Sequence, residues 1–310
     1  MRPRLEVTTP LPSASSRRGG GSAVSDPLPA GRFLDPLVVL RSLTDRDRYL
    51  VSVLSEQQVL TTALVTQLAF PSLDVAQRRL LRLTRLGVLD RFRWHALVGS
   101  EAWHYTLGPS GAAVVAAGRG VEAPRPADLR RRALRLAASP RLAHLLGVNG
   151  WFCSLAAHAR AHPDATLSAW WSERRCAEHY GELVRPDGYG AFSEAGRQVE
   201  FFVEFDTGSE PLARLAAKLG DYAELAIAGG PDHPVLLWLP SAIREAHLHR
   251  LLAERPPGGP VATATAELAD ALDTSPAGPI WLTPGADRRH QLIDLARPTG
   301  RAANRATNRA

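Results

Sequence analysis

Lysine is nearly missing from this sequence: Lys218 is the only one, and every other strongly basic side chain is Arg. Cysteine occurs twice, at Cys153 and Cys176, too few for a disulfide framework and without the paired spacing of a structural zinc site, so both read as small core residues. No uncharged apolar run approaches the roughly 18 to 20 residues that a membrane span needs, and the N-terminal stretch MRPRLEVTTPLPSASSRRGGGSA has no continuous apolar segment of the kind a secretory signal carries. The expected location is therefore cytoplasmic, with no membrane partner. A GxxxxGK[ST] loop to cradle nucleotide phosphates is absent, which argues against ATP-driven remodelling. No tyrosine cluster or histidine triplet suggests the nucleophile and metal of a relaxase.

What is present is enough apolar material, 45% of 310 residues, for two domains with their own cores. Residues 1–31, rich in Ser, Gly, Pro and Arg, are expected to form a disordered basic arm, and the tail 298–310 reads the same way. The stretch GRGVEAPRPAD at 118–128 reads as a linker. Charge is lopsided: residues 1–125 hold 16 Arg against 10 Asp and Glu, a net of +6, whereas residues 126–310 hold 21 basic and 21 acidic residues, a net of 0. An excess of this kind suits a module that approaches a polyanion, because neutralised phosphates release condensed counterions.

Residues 42–117 predict three helices and a hairpin. Asp45 can cap DRDRYLVSVLSEQ, a second helix begins near Thr61 or Thr62, and SLDVAQRRLLRLTRLG gives a third that stops at Gly87. VLDRFRW and AWHYTLG then have the β-branched and aromatic character of two strands. That order is the winged helix-turn-helix arrangement. On the third helix Ala76, Leu80 and Leu83 repeat at core spacing, while Gln77, Arg78, Arg79, Arg82 and Arg85 supply forks for phosphates and guanine edges, and Arg91 and Arg93 extend the set onto the wing. A solvated amphipathic helix would also use Arg freely; the order of elements and the local charge favour contact with double-stranded DNA.

From residue 129 to 297, short apolar runs alternate with helical segments, which argues an α/β sheet with helical cover, α+β over the whole chain. RRALRLAASPRLAHLLGVNGWFCSLAAHARAHP reads as helical with a break near Gly147 to Gly150, SAWWSERRCAEHYG as a helix with Trp170 and Trp171 about 100° apart, and GPIWLT and ADRRHQLIDLA as a strand and a helix. His247 and His249 share no helix face and are assigned to the surface. The run QVEFFVEFDT puts Phe201, Val203 and Phe205 on one strand face and Phe202, Glu204 and Asp206 on the other. Two carboxylates so close need a cation to stay ionised, and Mg²⁺, hard and oxygen-seeking, is the natural one, with Asp187 completing the set. After a cap at Thr207 or Ser209, Leu212, Leu215, Leu219 and Tyr222 form a buried stripe with Lys218 at its border. Lys218 there either reaches back to the carboxylates or pairs with Asp221 on an ordinary polar face.

The order Pro186-Asp187, an apolar strand carrying Glu204, then a lysine resembles the PD-(D/E)xK nuclease fold, a restriction-endonuclease-like α/β domain. The resemblance implies metal ligands at Asp187, Glu204 and Asp206, a water-orienting Lys218, and Glu173 or Glu178 as an additional acid. Asp206 stands two residues after Glu204, where that pattern has its lysine; Lys218 on the next helix would be a migrated counterpart. The segments DRDRYLVSVLSEQQVLTTALVTQLAF, AQRRLLRLTRLGVLDRFRW, WWSERRCAEHYGELVRPDGYG and VEFFVEFDTGSEPLARLAAKLGDYAEL resemble the replication-relaxation family over about residues 44–297. That resemblance implies a winged helix joined to a nuclease-like domain, acting in replication or relaxation of plasmid or mobile DNA. Two readings stay open: a Mg²⁺-dependent DNA nickase, or a regulator whose nuclease-like domain serves dimerisation or binds other replication proteins.

Overall fold

Short polar side chains stand at most of the helix starts, where they accept backbone N–H groups that have no partner inside the helix. The computed structural model describes residues 5–7, 36–94 and 102–296, divided between two units, Met1–Asn149 and Gly150–Ala310. The architecture is α+β, with helices around two sheets.

In the first unit β1 (Leu5–Val7) and α1 (Pro36–Ser42) precede α2 (Asp45–Gln57). The cap of α2 is Thr44 rather than Asp45: its hydroxyl accepts from the Asp47 N–H at 3.3 Å while the Asp47 carboxylate accepts from the Thr44 N–H at 2.7 Å, a reciprocal capping box. β2 (Leu60–Thr61) leads into α3 (Thr62–Ala69), capped by Thr61, and Ser72 caps α4 (Leu73–Arg85). Gly87, at φ +67°, turns the chain out of α4 where a side chain would be strained. β3 (Leu89–Trp94) and β4 (His104–Leu107) pair antiparallel, flanked by β1 and β2 in the order β1-β3-β4-β2. Three helices followed by a hairpin thus stand in the expected order, with Leu50, Leu54, Val65, Leu80, Leu83, Phe92 and Tyr105 buried between them. Residues 95–101 at the hairpin tip lie outside the described residues, as do the tail 298–310 and all of the arm 1–31 but Leu5–Val7, which pairs with β3 instead of standing alone.

α5 (Pro109–Arg119), α6 (Pro126–Ala137) and the start of α7 (Leu142–Ala161) complete this unit. The stretch 118–128 is therefore not where the units divide. Ala137 and Leu142 pack with Val59 and Phe92, and the buried Asn149 donates to the Gln57 and Val59 carbonyls at 3.1 and 2.8 Å. The break expected near Gly147 is also absent: α7 runs through it, and the division falls inside this helix.

The second unit continues with β5 (Thr166–Ser172), α8 (Glu173–Tyr180), β6 (Gly188–Glu194), β7 (Arg197–Phe205), α9 (Leu212–Ile227), β8 (Val235–Leu239), α10 (Ala242–Glu254), β9 (Val261–Thr265) and α11 (Ala266–Ala271). The sheet order is β5-β6-β7-β8-β9, antiparallel through β7 and parallel beyond it. Trp170 and Trp171 lie on β5, not on a helix, so they point to opposite faces: Trp170 stacks on Phe152 of α7 at 5.2 Å and Trp171 lies 4.5 Å from Tyr189. Both are packing residues. β6 passes so close beneath α7 that a Cβ at Gly188 would come 2.7 Å from the Phe152 ring. GPIWLT contributes only bridges, Thr263 to Leu282 and Trp281 to His290, and ADRRHQLIDLA only a short 3-10 turn at Leu292–Leu295. His249, assigned to the surface, is half-buried and 2.7 Å from the Thr263 hydroxyl, whereas His247 is exposed.

Candidate functional site

In the first unit α4 buries Ala76, Leu80 and Leu83 and leaves Gln77, Arg78, Arg82 and Arg85 exposed. Arg79 leaves that set. Its guanidinium turns inward to Asp47, which is 1% exposed, with an Nε to Oδ1 distance of 2.9 Å and a second, shorter contact to Oδ2. Burial works against ionisation of Asp47, but hydrogen bonds from Arg79 and Thr44 outweigh it and hold the carboxyl below its usual range. On β3, Arg91 and Arg93 project to one side and both lie over the Trp103 ring, at 3.9 and 4.3 Å from its centroid. A guanidinium stacked on an indole loses conformational freedom, so Trp103 fixes where this pair of arginines lies.

In the second unit β7 is the central strand, covered on both faces, which explains why both faces of its two-residue alternation are buried from Phe201 to Glu204. Phe201 packs against Trp151 and Phe152, and Phe202 against the cluster that contains Leu215, Leu219 and Tyr222 of α9. Glu204 shares the α9 face. Its Oε2 lies 3.2 Å from the Lys218 ammonium and its Oε1 accepts a 2.5 Å hydrogen bond from the Tyr222 hydroxyl. Asp187, one step past the Gly188–Val203 pair in register, stands beside it, and its Oδ2 accepts from the Phe205 N–H at 2.9 Å. Lys218 also lies 3.6 Å from Glu210, so one ammonium serves three acidic neighbours. Lys218 to Asp221 pairing is not the arrangement adopted.

Burial, reinforced by the Asp187 charge, pushes Glu204 up to about 7, against the pull of Lys218 and Tyr222. Lys218 is itself raised: burial disfavours its charge, but Glu204, Asp187 and Glu210 favour it more. The Tyr222 hydroxyl is driven well above its ordinary range by burial and by Glu204, so it stays a donor. The site is short of positive charge.

Asp206, named with Asp187 and Glu204 as a metal ligand, does not join them. Both of its oxygens are taken by Arg244 of α10, Nη2 to Oδ1 at 3.0 Å with a shorter contact from Nε, and the Gly208 N–H adds a bond at 2.9 Å. Asp206 is the first residue beyond β7, and the loop it opens turns it toward α10. The cap expected at Thr207 or Ser209 is also different: those hydroxyls bond each other at 3.0 Å and α9 starts after Pro211. Glu173 begins α8 directly after Ser172, whose partner is Gly188, which brings it to the Asp187 end of the sheet. Glu178 is exposed and stands near Arg174 instead. Among the described residues no group of three or more His, Cys, Asp or Glu side chains is placed to hold a metal ion. Two carboxylates with excess negative charge remain, which fits Mg²⁺ bound largely by water and phosphate oxygens.

Tyr222 and Arg244 were the residues missed. Tyr222 was legible only as a member of the buried stripe, since helical spacing does not reveal that its hydroxyl reaches Glu204. Arg244 lies 38 residues from Asp206 in a separate helix, and nothing local announces the pair.

Comparison with curated proteins and with solved structures gives no match. The family model described as replication-relaxation matches residues 51–235, which run from within α2 to the first residue of β8 and include both the arginine-bearing α4 and the Glu204–Lys218 site. With more than half of its residues matched, the chain belongs to the replication-relaxation family.

Proposed function

We propose that the protein binds duplex DNA through a winged helix formed by α2, α3, α4 and the β3–β4 hairpin, in the replication or relaxation of plasmid or mobile DNA. In this reading α4 enters the major groove with Gln77, Arg78, Arg82 and Arg85, and Arg91 and Arg93 hold the backbone. The second unit is read as a restriction-endonuclease-like domain that nicks DNA with Mg²⁺. The observation that carries this part is the Lys218 ammonium 3.2 Å from Glu204 beside Asp187, which joins a lone lysine to one carboxylate on β7 and another on the residue just before β6.

Asp187 and Glu204 would hold the ion, which when bound supplies charge neutralisation at the phosphate and a water of lowered pKa. Lys218, kept charged by its carboxylate neighbours, donates hydrogen bonds to orient the attacking water or a phosphate oxygen and does not act as a general base. Water oxygen bonds to phosphorus, the P–O bond to the leaving sugar oxygen breaks, the water proton passes to solvent, and the leaving oxygen takes a proton from solvent. Tyr222 fixes the second oxygen of Glu204, so that Oε2 alone faces the reaction.

One observation favours a second reading. Arg244 occupies Asp206 completely, as expected if the domain kept the fold and now serves dimerisation or binds another replication protein. Supercoiled plasmid incubated with Mg²⁺, Mn²⁺ or EDTA separates the two. Metal-dependent nicking abolished by Glu204→Gln and by Lys218→Ala supports the nickase; DNA retention with no nicking under any metal supports the regulator.

A further inference from the structure

α6 carries a one-sided arginine face. Its inner side rests on Ala133 and Ala137, and the opposite side carries exposed Arg125, Arg131, Arg132 and Arg135 with Asp128 as the one acid among them. Arg131 and Arg135 are like charges at i, i+4, and Arg125 sits at the N-cap, where the helix dipole disfavours a cation. Asp128 offsets only part of this, through its pair with Arg131. Arg125, Arg132 and Arg135 make no ion pair among the described residues. A helix face with this excess of one sign, only partly offset within the chain, suits a ligand of opposite sign.

The spacing suits an extended polyanion. From Arg125 to Arg135 the helix advances about 15 Å, a length over which a duplex presents about nine phosphate charges. No Asn or Gln lies among these arginines, so the face has no side chain that both donates and accepts toward a base edge. α6 also belongs to the arginine-rich unit: residues 126–149 hold five Arg against Asp128 alone, which raises residues 1–149 to 21 Arg against 11 acids, a net of +10.

We propose that α6 is a second contact surface for the phosphate backbone of duplex DNA, independent of base sequence and separate from α4. It rests on the DNA-binding reading of the first unit. The test uses the full-length protein, fluorescence anisotropy with labelled duplexes of unrelated sequence, and a range of salt concentrations. Arg131→Gln, Arg132→Gln and Arg135→Gln together should lower the slope of log affinity against log salt by about 2 to 3 and weaken binding equally for every duplex. The corresponding triple change to Lys should restore the slope, and an unaltered thermal unfolding curve excludes misfolding as the cause. Arg78→Ala, Arg82→Ala and Arg85→Ala together should instead reduce discrimination between duplexes as well as affinity. An unchanged slope in the glutamine variant overturns the α6 proposal while leaving α4 standing. Loss in the α6 variant without loss in the α4 variant supports α6 and sinks the groove-reading role of α4. A wild-type protein that binds no duplex at any salt overturns both. If the glutamine variant loses only its binding to anionic phosphatidylserine vesicles, the partner is a membrane surface and the proposal is wrong.

Discussion

Residues 1–149 carry a net charge of +10, whereas residues 150–310 hold 16 Arg and Lys against 20 Asp and Glu, a net of −4. The two units also handle charge differently. In the first, arginines on α4 and α6 face outward, and the one that turns inward, Arg79, does so to meet the buried Asp47. In the second, the acids turn inward: Glu204, Asp206 and Glu245 are all buried, and each faces a cation, Lys218, Arg244 and Arg289 respectively. The three pairs are not equivalent. Arg244 and Arg289 each engage both oxygens of one carboxylate, the strong bidentate arrangement. Lys218 is a point charge divided among Glu204, Asp187 and Glu210, which leaves Glu204 undercompensated. One unit thus has surplus positive charge on its surface, and the other has one deficit of it inside.

The largest effect should come from the inward exception of the first unit. Asp47→Ala strips the partly exposed Arg79 of its partner and removes the reciprocal cap of α2, at a cost of about 3 kcal/mol in chemical denaturation. Because the folded Asp47 value lies below its unfolded one, the stability it provides is present above the unfolded value of 3.8 and is lost as pH falls through the folded value. Acid titration of the wild type should therefore lose a transition component that Asp47→Ala lacks.

Next in size is the outward set. Arg78→Ala, Arg82→Ala and Arg85→Ala together should weaken duplex binding about a hundredfold at low salt, with little change in stability. Restoring Arg79 alone to that list should change binding no further but destabilise the unit, since its guanidinium is engaged by Asp47.

A smaller effect sharpens the difference between the Lys218 and Arg244 sites. Tyr222→Phe removes the hydrogen bond to Glu204 Oε1 and should weaken Mg²⁺ binding by about tenfold, read by calorimetry or by the metal-induced rise in melting temperature. Arg244→Gln should not weaken it, because Asp206 stands apart from the carboxylate pair. Equal losses in both variants would erase the distinction.

A last effect is a pH slope. Glu204 is raised from 4.5 to about 7 in the folded protein, so the folded state holds the proton more tightly than the unfolded chain. Stability from this group is fully present below pH 4.5 and declines as pH rises through about 7. Glu204→Gln should flatten that decline in the denaturation midpoint, and Mg²⁺ should flatten it in the wild type. A slope identical in all three would mean that Glu204 is not short of positive charge.

Much of the fold was legible because it rests on local periodicity and on caps. The core stripe of α4 at Ala76, Leu80 and Leu83 follows directly from helical spacing, as does the stripe of α9 at Leu215, Leu219 and Tyr222. The alternation of β7 likewise set Glu204 on the face that α9 covers. Where local signals tied, the reading failed: Trp170 and Trp171 suit a helix or a strand equally, and only pairing with β6 decides for β5. Gly147 and Gly150 suggested a break, but packing of α7 holds one continuous helix through them.

The sequence by itself determined that a single lysine stands on the helix after an acidic strand, and that an arginine-rich first part precedes a charge-balanced second. Only the tertiary structure decided which charges meet. Arg79 and Asp47 are 32 residues apart, and Arg244 and Asp206 are 38 apart, so neither pair leaves a periodic trace. Both exist because burial makes an unpaired charge costly, and the fold brings one partner to each. Lys218 reaches Glu204 for the same reason, but with more acid around it than one ammonium can offset.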